Sequence, residues 1–265
     1  MVTVSPPPPR FGAGEASIKP DSGVSVSKRL VLPPPPVLSA VPPAPPKSPS
    51  AGAPALLALP AGRSIALHAD GVLLVQTSDD PARAFAGRLD AVRVVAGSVT
   101  TRVLHRRTRD GETAEVMGGL GSPVVRISGA AQLVLGPRQG RHVVLLALAR
   151  DPAFLREDVL LGFELSLSYE NGRVAIEPSP DGARAAGDGM ALVQLLGSGA
   201  FALELEGKLA SVRASPGRPL SVRREWIVGW IGRLVARAVP PEESPGGQRG
   251  LVGFSGDGTV LVSPG

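Results

Sequence analysis

The residues able to do chemistry in this chain are few. Among 265 residues there is no cysteine, and the three histidines are His68, His105 and His142. Without thiols there are no disulfides, thiolate metal sites or cysteine nucleophiles. The histidines lie far apart, with no paired spacing beside a carboxylate, so a His/Glu metal centre is not expected. No Gly-x-Ser-x-Gly elbow, Walker loop or dinucleotide fingerprint occurs. In Gly119-Leu120-Gly121-Ser122-Pro123 the serine precedes proline, which fits a turn into a strand at Val124. Carboxylates adjoin at Asp79-Asp80, Glu157-Asp158 and Glu242-Glu243. Neighbours on a strand point to opposite faces, so such a pair cannot serve one substrate and reads as a solvated turn or rim. The expectation is a non-enzymatic protein without cofactor or metal.

One cluster could bind rather than react. Arg102, His105, Arg106, Arg107 and Arg109 fall on one strand running into an Asp110-Gly111 turn. Period two splits these groups between faces, and the turn fans them out at one end. Two readings stay open. The cluster is a solvated strand end balanced by Glu112 and Glu115, or it contacts an anion such as a phospholipid head group, an acidic protein segment or RNA. No aromatics interleave, so base stacking lacks support. Trp226 and Trp230, four apart on an expected strand, would share a face and pack in the core or at a subunit interface.

Composition sets the frame for these residues. Sixteen of the 28 prolines fall in residues 1–60, including Pro6–Pro9 and Pro33–Pro36. Residues 1–55 therefore read as a disordered Pro-rich tail or linker that buries too little to offset its ordering entropy. Pro42-x-x-Pro45-x-Lys47 matches a proline-motif ligand, though a spacer accounts for it as well. The net charge is +5, but residues 61–265 hold 23 basic and 21 acidic residues. Such a balance argues against a nucleic-acid partner. No apolar run is long enough for a spanning helix. A charged start followed by an apolar leader is missing, so the expected location is cytoplasmic, with peripheral contact to an anionic membrane left to the arginine cluster.

Residues 56–265 read as all-β. Short β-branched or alternating runs recur, among them Gly71–Thr77, Val99–Leu104, Val124–Ile127, His142–Leu148, Val159–Tyr169, Phe201–Glu206 and Thr259–Val262. Turn signals separate them at Ala69-Asp70-Gly71, Arg109-Asp110-Gly111, Glu170-Asn171-Gly172, Ser215-Pro216-Gly217 and Ser255-Gly256-Asp257-Gly258. Asn171-Gly172 is the strongest hairpin signal among them. The chain also repeats itself. Pro81–Arg102 aligns with Pro216–Arg237 without gaps, with Pro81/Pro216, Arg83/Arg218, Arg88/Arg223, Gly97/Gly232 and Arg102/Arg237 identical. Leu155–Phe163, including Gly162, aligns with Val222–Trp230, including Gly229. A second marker follows each copy at Gly129, at Gly197 and Gly199, and at Gly256 and Gly258, where a Cβ would crowd an inter-strand corner. The expected architecture is three pseudo-repeated antiparallel β-units, sandwich- or barrel-like.

Three segments carry a family resemblance: Arg156–Phe163, Gly189–Gly199 and Gly250–Val260. Over roughly residues 60–262 the chain resembles the altered-inheritance-of-mitochondria family (member twenty-four), whose β-domains are similar to the tryptophan RNA-binding attenuation protein. The resemblance implies a pseudo-threefold, attenuation-protein-like β-structure and homo-oligomerisation in some members. It carries over no ligand, because no tryptophan- or RNA-contacting position matches residue by residue. The function expected is a scaffold or protein-interaction module that associates with itself or a protein partner. The alternative is a binding module for anionic ligands through Arg102–Arg109.

Overall fold

The computed structural model describes Leu59, residues 63–175 and residues 189–264, with side chains omitted at 174 and 175. The Pro-rich segment 1–55 lies outside the described residues. Every strand pairing among the described residues is antiparallel, and the only helical elements are single 3-10 turns. The first third of the β-body holds β1 (Ile65–Leu67), β2 (Leu73–Thr77), β3 (Phe85–Arg88), β4 (Val92–Gly97), β5 (Thr100–Val103), β6 (His105–Thr108), β7 (Gly111–Val116), β8 (Val124–Ser128) and β9 (Ala131–Leu135). The middle third holds β10 (His142–Leu148), β11 (Ala153–Arg156), β12 (Leu160–Glu164), β13 (Ser168–Ala175), β14 (Gly189–Leu196) and β15 (Gly199–Leu205). The last holds β16 (Ala210–Ala214), β17 (Leu220–Arg223), β18 (Ile227–Val239) and β19 (Leu251–Val262).

Each third is built on two bent antiparallel strands. In the first, β4 and β5 run against β9 and β8; in the second, β12 and β13 run against β15 and β14; in the third, β18 runs against β19. The bends fall at the marker glycines. Gly129, Gly197 and Gly256 have φ of 112°, 116° and 117°, a region closed to most side-chain-bearing residues. A Cβ on Gly129 would lie 2.3 Å from the Ser98 carbonyl oxygen, and one on Gly256 would lie 2.3 Å from that of Arg233.

A second device also occurs three times. A short strand ends in arginine, makes one 3-10 turn and enters the first long strand through a register slip. The arginines are Arg88, Arg156 and Arg223, with φ/ψ of −66°/127°, −60°/132° and −61°/132°. The slips fall between Val92 and Val94, Leu160 and Gly162, and Ile227 and Gly229. These elbow strands join one third to the next. β3 pairs with β8 of its own third and with β12; β11 pairs with β14 of its own third and with β18. The registers correspond, with Gly87 opposite Gly162 and Leu155 opposite Gly229. Glycine is needed there because a Cβ on Gly162 would sit 2.5 Å from the Ala86 oxygen, and one on Gly229 would sit 2.2 Å from the Phe154 oxygen.

The third junction is open. Among the described residues β17 pairs with β19 alone, and β4 pairs with β9 alone. Valine (Val94) stands where the other two first strands carry glycine. Two sheets are thus long, β10-β15-β12-β3-β8-β5 and the one running from β13 to β16, while β1-β2-β9-β4 stops at β4. The core lies between these sheets in three apolar clusters, centred on Phe163 and Phe201, on Phe85 and Leu133, and on Trp230 and Phe254. Trp230 stacks on Phe154 with ring centroids 5.2 Å apart. Burying side chains of this size contributes about 1.5–3 kcal/mol each.

Several local expectations are corrected. Asn171-Gly172 makes no hairpin; both lie inside β13, opposite Val193 and Leu192. Ser255–Gly258 is a bend within β19, not a turn between strands. Val159–Tyr169 breaks after Glu164, where the Leu167 amide bonds back to the Glu164 carbonyl. The strand through the arginine cluster breaks at Leu104 into β5 and β6. Trp226 and Trp230 share no strand, because Trp226 closes the 3-10 turn of the third elbow and is 43% exposed while Trp230 is buried. The turns at Asp70-Gly71, Asp110-Gly111 and Pro216-Gly217 form as expected.

Candidate functional site

The first elbow arginine organises the centre of the molecule. Arg88, at the end of β3, is 3% exposed. Its Nε donates to the Leu160 carbonyl at 2.8 Å, one terminal nitrogen to Ser122 at 3.0 Å and the other to the Glu157 carbonyl at 2.6 Å. Burial holds the Arg88 pKa below its ordinary value, and the nearby Arg138 acts the same way. Arg88 thus ties the second elbow to the first.

Glu157 is not the solvated rim carboxylate that its neighbour Asp158 suggested. It sits buried in the 3-10 turn of the second elbow and accepts four hydrogen bonds: two from Arg106 at 3.1 Å, one from the Gly118 amide at 2.8 Å and one from Asn171 Nδ2 at 3.3 Å. Arg106 also donates to Glu115 at 2.5 Å. Burial lowers the Arg106 pKa, but the two carboxylates outweigh it and leave the guanidinium above its usual range. The Arg107 amide donates to Asn171 Oδ1 at 3.0 Å. The Asn171 side chain is therefore engaged with β6 and Glu157, while its backbone continues the β13 ladder.

The arginine cluster is divided by this arrangement. Arg106 turns inward and is paired with both Glu157 and Glu115. His105 is half-buried, and its carbonyl accepts a hydrogen bond from Tyr169 at 3.0 Å. Arg109 lies exposed in the tight connection between β6 and β7. Arg102 and Arg107 instead line a cavity of about 530 Å³ together with Arg126, Glu112, Leu165 and Tyr169. Arg126 was not among the sequence candidates, although a lone arginine inside the apolar run Val124-Val125-Arg126-Ile127 marks a strand position facing something polar. Arg102 and Arg126 are direct cross-strand partners in the β5–β8 ladder, and Arg107 and Glu112 are partners in the β6–β7 ladder. Tyr169 titrates above the usual tyrosine range, first because it is buried and then because of Glu112, with Arg107 and Arg102 pulling the other way.

A larger cleft of about 960 Å³ lies where the three elbows approach one another, lined by Asp90, Arg156, Glu157, Asp158, Arg224 and Glu225 among others. Its charges largely compensate each other: Arg106 is paired with Glu157, and Arg156 pairs with Asp158. Among the described residues no three His, Asp or Glu side chains come together in a metal-binding group. No described helix is long and apolar enough to cross a membrane.

No family model and no curated protein matches the chain. A Streptococcus pyogenes protein known from its X-ray crystal structure superposes with a TM-score of 0.51 at 15% identity, over 73% of this chain and 88% of that one. At that identity the likeness is one of fold.

Proposed function

We propose that this chain is a non-enzymatic β-scaffold of the altered-inheritance-of-mitochondria-like family, three attenuation-protein-like units long, which assembles head to tail with copies of itself. The observation that carries this reading is the open first strand. In the second and third units the corresponding strands are covered, with Leu160, Phe163 and Ile227 at 0% exposure and Trp230 at 3%. In the first unit Val94 and Val95 stand 46% and 45% exposed, on a strand whose outer edge has no partner among the described residues. A β-branched edge of this kind is a template for another strand. The chain itself carries the complement, because among the described residues β17 lacks the second partner that β3 and β11 have. One open end of each kind is the condition for a heterologous contact between copies. Val94 in place of glycine makes the joint between copies an ordinary edge pairing without the close approach seen inside the chain.

Light scattering after size-exclusion chromatography tests this on the full chain. An oligomer of similar mass at low and high salt is expected, because the joint is apolar and hydrogen-bonded. Lysine at both Val94 and Val95 dissociates it while the circular dichroism spectrum stays the same. A monomer at tens of micromolar, or a defined turnover that survives rigorous purification, overturns the reading.

A further inference from the structure

We propose that the cavity between β5, β8, the β6–β7 hairpin and the start of β13 binds a phosphate-type oxyanion carried on a small organic group, held by Arg102, Arg107 and Arg126. The first argument is electrostatic. Arg102 and Arg126 face each other across the β5–β8 ladder and so project from the same face of the sheet. Like charges directly opposite on neighbouring strands destabilise the pair unless something anionic lies between them. Neither residue forms an ion pair among the described residues, and nor does Arg107. The adjacent Arg106 shows the opposite outcome, with two carboxylates on one guanidinium.

The second argument is charge and size. Glu112 is the one acidic residue lining the cavity, against three arginines, which leaves a surplus matching the charge of about −2 on a phosphate monoester. Planar guanidinium forks suit such an oxyanion better than point-charge ammonium groups. A cavity of about 530 Å³ falls in the range of small-molecule sites, and Leu165, Leu167 and the Tyr169 ring give it an apolar wall for the organic part. The site is independent of the open strand edge, so either proposal can fail without the other.

Calorimetric titration of the full chain with inorganic phosphate, a short alkyl phosphate and acetate, at matched ionic strength, tests the assignment. The alkyl phosphate is expected to bind at least tenfold more tightly than acetate, and Arg102→Gln and Arg126→Gln each weaken it tenfold or more. Flotation with vesicles containing phosphatidylglycerol separates the sources: binding to vesicles but not to soluble phosphates assigns the oxyanion to a lipid head group, and the reverse assigns it to a free phosphate compound. A second readout comes from Tyr169, the only tyrosine in the chain. Occupancy cancels the downward pull of the arginines, so the phenolate absorbance midpoint moves further up. Without ligand at low salt, both glutamine variants melt higher than the natural chain, because the repulsion is gone. No binding in either arm, or full binding by the glutamine variants, overturns the proposal.

Discussion

Glu157 shows how one side chain can hold together segments far apart in sequence. Its carboxylate collects Arg106 from β6, the Gly118 amide from the loop after β7 and Asn171 from β13, while its own carbonyl receives Arg88 from β3. Replacing Glu157 with alanine leaves Arg106 with only the exposed Glu115 and takes the acceptor from the half-buried Gly118 amide. Removing one partner of a buried pair costs about 3–5 kcal/mol. With the Arg106 side chain 24% exposed, the lower end applies, about 3 kcal/mol in urea unfolding. Glu115→Ala, which removes an exposed partner, costs under about 1 kcal/mol. Equal losses for the two variants would show that the Glu157 network contributes nothing beyond a surface pair. The sequence revealed this site only in part. The cluster from Arg102 to Arg109 was visible as charge, but which arginine turns inward depends on the buried Glu157 carboxylate 51 residues away, and Arg126 joins through a ladder register that no local pattern encodes. Glu157 was hidden by the assumption of a strand: adjacent carboxylates alternate faces there, but a 3-10 turn sends one inward and leaves the other in water.

At the scale of elements, the elbow strands and the glycines beneath them set the architecture. Gly162 and Gly229 are fixed by the approach of β3 and β11, whereas Val94 occupies the same place on a strand with no such neighbour among the described residues. Gly162→Ala would put a Cβ 2.4 Å from the Phe85 ring and 2.5 Å from the Ala86 oxygen. Overpacking of that kind costs about 1–3 kcal/mol, and here a backbone atom cannot move aside cheaply. Thermal unfolding is expected to show a loss of at least several degrees for Gly162→Ala and Gly229→Ala, and a change of about 1 kcal/mol or less for Val94→Gly on the edge strand. A Gly229→Ala variant as stable as the natural chain would mean that the joint is softer than its geometry. Much of the all-β fold was legible because alternation and the marker glycines are local signals. The short strands β3, β7 and β11 were not. Phe85-Ala86-Gly87-Arg88 has too few residues and too little alternation to read as a strand, and its pairing on both sides is a property of the assembled sheets. Asn171-Gly172 failed for a related reason: an eight-residue ladder with β14 outweighs a dipeptide's preference for positive φ.

For the whole molecule, the pattern of joints matters more than any single joint. Two of them, β3 to β12 and β11 to β18, join the thirds into continuous sheets, and the pieces of a third remain at the two ends of the repeat as β17 and β4. A chain that closed on itself would pair these ends and bury Val94 and Val95; among the described residues both stay open, and in the proposed assembly another copy completes them. Amide hydrogen exchange separates that arrangement from an edge that water simply tolerates. Amides of β12 and of the first residues of β18 have partners on both sides within the chain and should exchange slowly at every concentration. Amides on the outer edge of β4 have no partner among the described residues and should exchange through local opening within seconds to minutes. In the assembly they become ladder donors, so protection of the 92–97 segment should rise with protein concentration and should vanish in the variant with lysine at both Val94 and Val95. The β17 segment should follow the same concentration dependence, because the two edges are occupied together. Protection of β4 that is independent of concentration would place its cover within the chain, and protection of β4 without β17 would require a contact other than the head-to-tail joint.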